Sequence, residues 1–363
     1  MEREGTRLHA LDAARGLAMA LVLSLHCLLS FIETPIGWAI KDRSTHVAAD
    51  FAVWVGRAFL MPAFFLLAGF FSRLSVERGG LRAFARERAR RVLVPLLVAL
   101  VPVSMAMNAL WDHGRQLAAR AAVGAQVPAL RASELPVTLG HLWYLYYLLV
   151  ISALAVVLPR RSARAFGPLP LLASIPVAAL LLLAGKLQLD TPLSFFIEPS
   201  IAAYFAVFFA WGWLLDRDEL DSYARRLPLL LGALAVVLAA IVPALLASAA
   251  PGAPARAPAS ALVASAMFTC ISVATFLGAC RRLLARERPF FRLLADSSYW
   301  TYVVHLPLAV FLQIQVASLP WPGPIKYAAI VVLTAATCLV TWRAFHHAYA
   351  RYALRGQPPL RRA

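Results

Sequence analysis

Apolar residues fall along this chain in blocks of about twenty, separated by short stretches rich in arginine, proline or glycine. That block length suits a helix crossing the hydrocarbon core of a bilayer. Ten blocks are predicted, near residues 11–31, 51–71, 92–111, 141–158, 168–185, 196–215, 228–248, 260–279, 298–316 and 326–346. The fourth and fifth are short, and Pro176 interrupts the fifth. The expected fold class is an all-α integral membrane protein, with about ten transmembrane helices in one bundle. Residues 1–350 are expected to form a single membrane domain and 351–363 a cytoplasmic basic tail. The first block is too long for a cleaved signal peptide, carries charge in the wrong places and is followed by no A-x-A-like cleavage site, so it is read as part of the mature fold.

Composition agrees with the block pattern. Hydrophobic residues make up 61% of the 363 and charged residues 15%, with a mean hydropathy of +0.72, outside the range of a soluble domain of this length. The arginines set the orientation. Arg3 and Arg7 precede the first block, and Arg73, Arg78, Arg82, Arg86, Arg88, Arg90 and Arg91 fill the second connection. Arg160, Arg161 and Arg164 fill the fourth, Arg281, Arg282, Arg286, Arg288 and Arg292 the eighth, and Arg351, Arg355, Arg361 and Arg362 the tail. The odd-numbered connections are poorer in positive charge, and the sixth (Asp216 to Arg226), which opens on acidic residues, is the one that breaks the trend. The positive-inside rule then puts both termini in the cytoplasm. The net charge of +17 is accounted for by one-sided placement beside anionic headgroups, so the expected partner is the lipid bilayer and not nucleic acid. Cys27, Cys270, Cys280 and Cys338 have no C-x-x-C spacing and are expected to be buried apolar residues.

Two ionisable residues stand inside the first block. Arg15 and His26 are eleven positions apart, roughly 1100° of helix, so they share one face at a separation of about 16 Å along the axis. Ionisable groups in such a segment are functional candidates by default. Asp12 lies one turn before Arg15 and is placed to pair with it. Arg86, Arg90 and Arg91 precede Pro95 in a cluster denser than topology requires, and paired guanidiniums suit phosphate groups. Three further constellations interrupt apolar blocks: Met61-Pro62-Ala63-Phe64-Phe65-Leu66-Leu67-Ala68-Gly69-Phe70, where Ala68 and Gly69 permit close helix approach, then His141-Leu142-Trp143-Tyr144-Leu145, and Ser298-Tyr299 through Tyr302, His305 and Pro307. None carries a metal-ligand spacing such as H-E-x-x-H, and no metal site is expected.

In combination these segments resemble the acyltransferase-3 family of integral-membrane acyltransferases. Arg15 and His26 match its R-x10-H signature, the Met61 to Phe70 run its M-x-x-F-F-x-x-S/A-G-F/Y helix, and Arg86 to Pro95 its R-x-x-R-x-x-x-P segment. His141-Leu142-Trp143-Tyr144-Leu145 is similar to its H-L-W-F/Y-L motif and Ser298 to Pro307 to its S-x-x-x-Y-x-x-H-x-P helix. The matches occur in family order over nearly the whole chain. Phe70-Phe71-Ser72, the H-L-W-Y-L wording and Arg355-Gly356-Gln357-Pro358 point to the glucans biosynthesis protein C branch, which succinylates periplasmic glucans, although Leu60 and Pro62 depart from that branch.

The resemblance implies a multi-pass protein of the bacterial inner membrane. It would move a succinyl or acetyl group from acyl-CoA to a hydroxyl of a periplasmic or envelope glucan or other carbohydrate acceptor, alongside glycan-synthesis partners. It implies catalytic roles for His26, as base, and for Arg15 with Asp12. Cofactor contacts would fall to Arg15, Arg86, Arg90 and Arg91, and acceptor contacts to His141, Trp143, Tyr302 and His305. Two other classes account for polar residues in spans. A secondary transporter would use Arg15, His26 and His305 as a pathway, which the lack of an internal repeat disfavours; a scaffold would use them only for packing. A transporter would be indifferent to acyl-CoA, and a scaffold would tolerate His26→Ala.

Overall fold

The computed structural model describes residues 9–121, 137–156, 158, 168–249 and 256–355. These form eleven α-helices and no strand among the described residues: α1 (His9–Leu28), α2 (Val47–Arg88), α3 (Val94–Ala121), α4 (Trp143–Ile151), α5 (Leu169–Ala184), α6 (Pro199–Leu214), α7 (Arg217–Arg225), α8 (Leu227–Ala249), α9 (Ala259–Leu283), α10 (Pro289–Ala317) and α11 (Gly323–Arg355). A helix stands at each of the ten predicted blocks. Six helical segments are long and apolar enough by composition to cross a membrane. A seventh is added if α6 and α7, bent by 102° at their junction, count as one broken span. The fourth and fifth blocks form the shorter apolar helices Gly140–Ala155 and Leu169–Ala184. The protein is therefore an all-α membrane protein. Arg3, Arg7, Arg160, Arg161 and Arg164 lie outside the described residues; α11 continues to Arg355, and the rest of the expected basic tail also lies outside them.

Small residues set the closest contacts. A Cβ on Gly69 of α2 would sit 2.0 Å from the Phe209 carbonyl oxygen of α6, and one on Gly212 of α6 would sit 1.8 Å from the Leu66 carbonyl oxygen of α2. Only reciprocal glycines let these backbones touch, the small-residue packing expected where helices meet in lipid. Gly16 does the same for α1 against α10, where an added Cβ would come within 2.7 Å of the Ala295 nitrogen. Around these crossings an aromatic core of Phe65, Tyr147, Phe208, Phe209 and Trp213 is fully buried. The outward faces of α8 and α11 keep Val236, Leu246, Val332 and Val340 exposed, an apolar surface suited to lipid. All four cysteines are buried and free.

The second and third blocks are joined by a helical arm, not a loop. In α2, Gly80 adopts φ 73° and ψ 175°, a left-handed value that favours glycine, and breaks the helix within its arginine-rich stretch, between Arg78 and Arg82. A wide turn at Ala89–Leu93 then leads into α3.

Candidate active site

α1 is the organising element, lying against α10 with Arg15 at one end and His26 at the other. Asp12 stands 3.6 Å from the Arg15 guanidinium, and Arg15 Nη2 donates to the Ala295 carbonyl of α10 at 3.2 Å. Its Nε is buried with no hydrogen-bond partner. The guanidinium also lies 5.9 Å from the centre of the Phe71 ring. Arg15 opens into a cavity of about 1400 Å³. Six further arginines line it: Arg73, Arg78, Arg88, Arg90, Arg91 and Arg217; its acidic lining is Asp12, Glu87, Asp216 and Asp296. Met19 and Val22 carry the lining along α1, with Met61, Phe64, Tyr144 and Tyr302 from other helices. The cavity thus climbs from Arg15 to within one helical turn, about 6 Å, of His26.

The arginine cluster is organised differently from the sequence expectation. Arg90 and Arg91 line the cavity, whereas Arg86 is exposed and does not. Arg88, unassigned from the sequence, turns inward, donating to Ser72 Oγ at 2.6 Å and lying over the Phe84 ring. Arg90 and Arg91 stand in the wide i→i+5 turn at Ala89–Leu93, whereas Arg86 and Arg88 belong to the last turn of α2. Arg73 donates to the Trp213 carbonyl at 2.9 Å and Arg91 pairs with Glu87 at 3.0 Å.

At the other end the histidines form a connected set. His305 is fully buried, and its Nδ1 lies 2.9 Å and 2.8 Å from the Thr301 and Tyr302 carbonyl oxygens. Carbonyls only accept, so this nitrogen carries the proton in the neutral ring and Nε2 is left as an acceptor. His26 Nδ1, at 2.9 Å from that Nε2, must then be the donor. The tautomer so assigned leaves the Nε2 lone pair of His26 available. His141 Nε2 donates to the Tyr302 and Val303 carbonyls at 3.1 and 3.2 Å, and the Tyr302 hydroxyl donates back to the His141 carbonyl. The structure brings His26, His141, Tyr302 and His305 together. Trp143 is apart from them, buried against Phe65, Tyr147 and Phe205.

Two residues that the sequence reading did not single out hold His26 in place. The Gln313 side-chain amide donates to the carbonyls of His26 and Cys27 at 2.9 and 3.0 Å, tying down the end of α1. Its oxygen accepts from the Trp38 indole at 2.8 Å. The Trp38 ring lies parallel to the His26 imidazole within 5°, at 6.5 Å between centres. Trp38 sits on the connection between α1 and α2, which folds back over this end and is fixed by a buried ion pair between Asp42 and Lys326 at 2.8 Å. Polarity inside an apolar block was a signal for Gln313. Nothing in the sequence pairs the loop residue Trp38 with His26.

Among the described residues no group of three or more His, Cys, Asp or Glu could hold a metal ion. A family model, the acyltransferase domain Acyl_transf_3, matches residues 8–343. Neither the curated proteins nor the solved structures yield a match.

Proposed function

The chain belongs to the acyltransferase-3 family and is a membrane acyltransferase; from that premise we propose that it moves a succinyl or acetyl group from cytoplasmic acyl-CoA to a hydroxyl of a periplasmic or envelope glucan. The observation that carries this reading is the layout of α1, which reaches from an arginine-lined cavity to a histidine with an available lone pair. In the proposed topology ten spans lie in the bacterial inner membrane with both termini cytoplasmic, so the Arg15 end faces the cytoplasm and the His26 end the periplasm.

Arg15, Arg88, Arg90 and Arg91 would receive the phosphates of the donor, because guanidinium groups keep their charge and match phosphate geometry. The pantetheine arm would then run along Met19 and Val22 and bring the thioester toward His26. His26 Nε2 takes the proton of the acceptor hydroxyl as its oxygen attacks the thioester carbonyl carbon. The tetrahedral adduct collapses with loss of the thiolate, which recovers the proton from His26, leaving an ester on the acceptor and free CoA thiol. His305 orients His26 and shares the positive charge that it acquires during the attack. His141 and Tyr302 would support His305 and border the acceptor.

The mass of envelope glycans from cells with and without the protein tests this reading. A succinyl- or acetyl-sized increment that needs the protein and disappears in His26→Ala and Arg15→Ala, at matched expression, is the expected result. An increment that survives both substitutions contradicts it.

A further inference from the structure

Arg57 is the one charged residue between Phe51 and Ser72, the apolar half of α2, and the mechanism above does not use it. Its level in the bundle is fixed by its neighbour Gly56, where an added Cβ would lie 2.6 Å from Leu25 Cδ1 of α1. Arg57 therefore stands beside the His26 end of α1, within electrostatic range of His26 itself. Its hydrogen bond, 3.3 Å from Nη2 to the Leu189 carbonyl, is long. Among the described residues no carboxylate forms an ion pair with it. Asp190, which acts electrostatically on Arg57, is paired with Lys186. The side chain is exposed, so a permanent cation is held beside the His26 end of α1 with Asp190 near it but, among the described residues, no carboxylate in an ion pair with it.

A charge kept at such a place needs a partner, and a guanidinium fork is complementary to a carboxylate, which it binds with two parallel hydrogen bonds. We propose that Arg57 binds a carboxylate carried by the substrate that reacts at His26, and so selects an anionic substrate over its neutral counterpart. This deepens the acyl-transfer reading and rests on it. The carboxylate belongs either to the far end of a dicarboxylic acyl group or to the acceptor, and both sources present the same chemistry to Arg57.

Full-length protein in liposomes separates these sources. Thioester turnover is measured with succinyl-CoA and with acetyl-CoA, using as acceptor the envelope glycan fraction from cells lacking the protein. The same fraction with its carboxylates capped as amides is then compared. The expected result is a preference of about 10-fold or more for succinyl-CoA, which assigns the carboxylate to the acyl group, or for the uncapped acceptor, which assigns it to the acceptor. That preference collapses in Arg57→Gln and is partly restored in Arg57→Lys. Turnover by the wild type with neither preference, or an equal loss on all substrates in Arg57→Gln that Arg57→Lys fails to restore, overturns this inference and leaves acyl transfer standing. Absence of any thioester turnover by the wild type overturns both.

Discussion

The two ends of α1 solve opposite problems with the same helix. At the Arg15 end the backbones of α1 and α10 touch through Gly16, yet the side chains splay into a wide cavity where seven arginines face four acidic groups. The His26 end is organised by hydrogen bonds instead. His26, His141, Tyr302 and His305 are joined by short hydrogen bonds to one another and to carbonyls, and Gln313 and Trp38 close over them. An open, cationic end suits a large anionic ligand that must enter and leave, and fixed charge is enough there. A closed end suits a proton, whose transfer requires one tautomer held in one orientation. In the proposed mechanism, binding falls to one end of α1 and chemistry to the other.

That division is broken most directly at its closed end. His26→Ala is expected to lower kcat by roughly 10³-fold, read as acyl-CoA turnover in proteoliposomes, with the thermal unfolding midpoint as a check on folding. At the open end, Arg15→Gln should raise KM for the donor by about 30-fold, the loss of one charged hydrogen-bonding group, with a smaller change in kcat. Gln313→Ala sharpens the comparison, since its side chain hydrogen-bonds to the backbone of α1 and to the Trp38 indole. A fall of about 10-fold in kcat is expected, because the imidazole loses its orientation, while KM for the donor holds. The smallest effects separate two neighbours in the arginine cluster: Arg88→Gln should raise the donor KM by about 5-fold and Arg86→Gln by less than about 2-fold.

Much of this was legible in the sequence because it rests on one helix and its period. The eleven-residue spacing of Arg15 and His26 fixed a common face before any neighbour was known, and α10 is the neighbour that receives both. The short fourth and fifth blocks and the close approach at Gly69 were equally readable. What escaped depends on breaks in periodicity or on contacts between distant segments. Arg88 turns inward because Ser72, sixteen residues earlier in the chain, accepts a hydrogen bond from it, a contact that no residue type announces. Trp38 reaches His26 from a connection whose path depends on the buried Asp42–Lys326 pair, two residues far apart in the chain. Trp143 stood in the same motif as His141, but two residues further along a helix points to another side, and there it packs against Phe65 and Phe205.

The separation of binding from chemistry is tested most directly by measuring CoA binding and acyl-CoA turnover on the same preparations of wild type, Arg15→Gln and His26→Ala in lipid. The account predicts that Arg15→Gln weakens CoA binding by more than about 10-fold, and that His26→Ala binds CoA within about 2-fold of wild type while turnover is lost. Turnover that persists in His26→Ala, or CoA binding weakened equally by both substitutions, would contradict it.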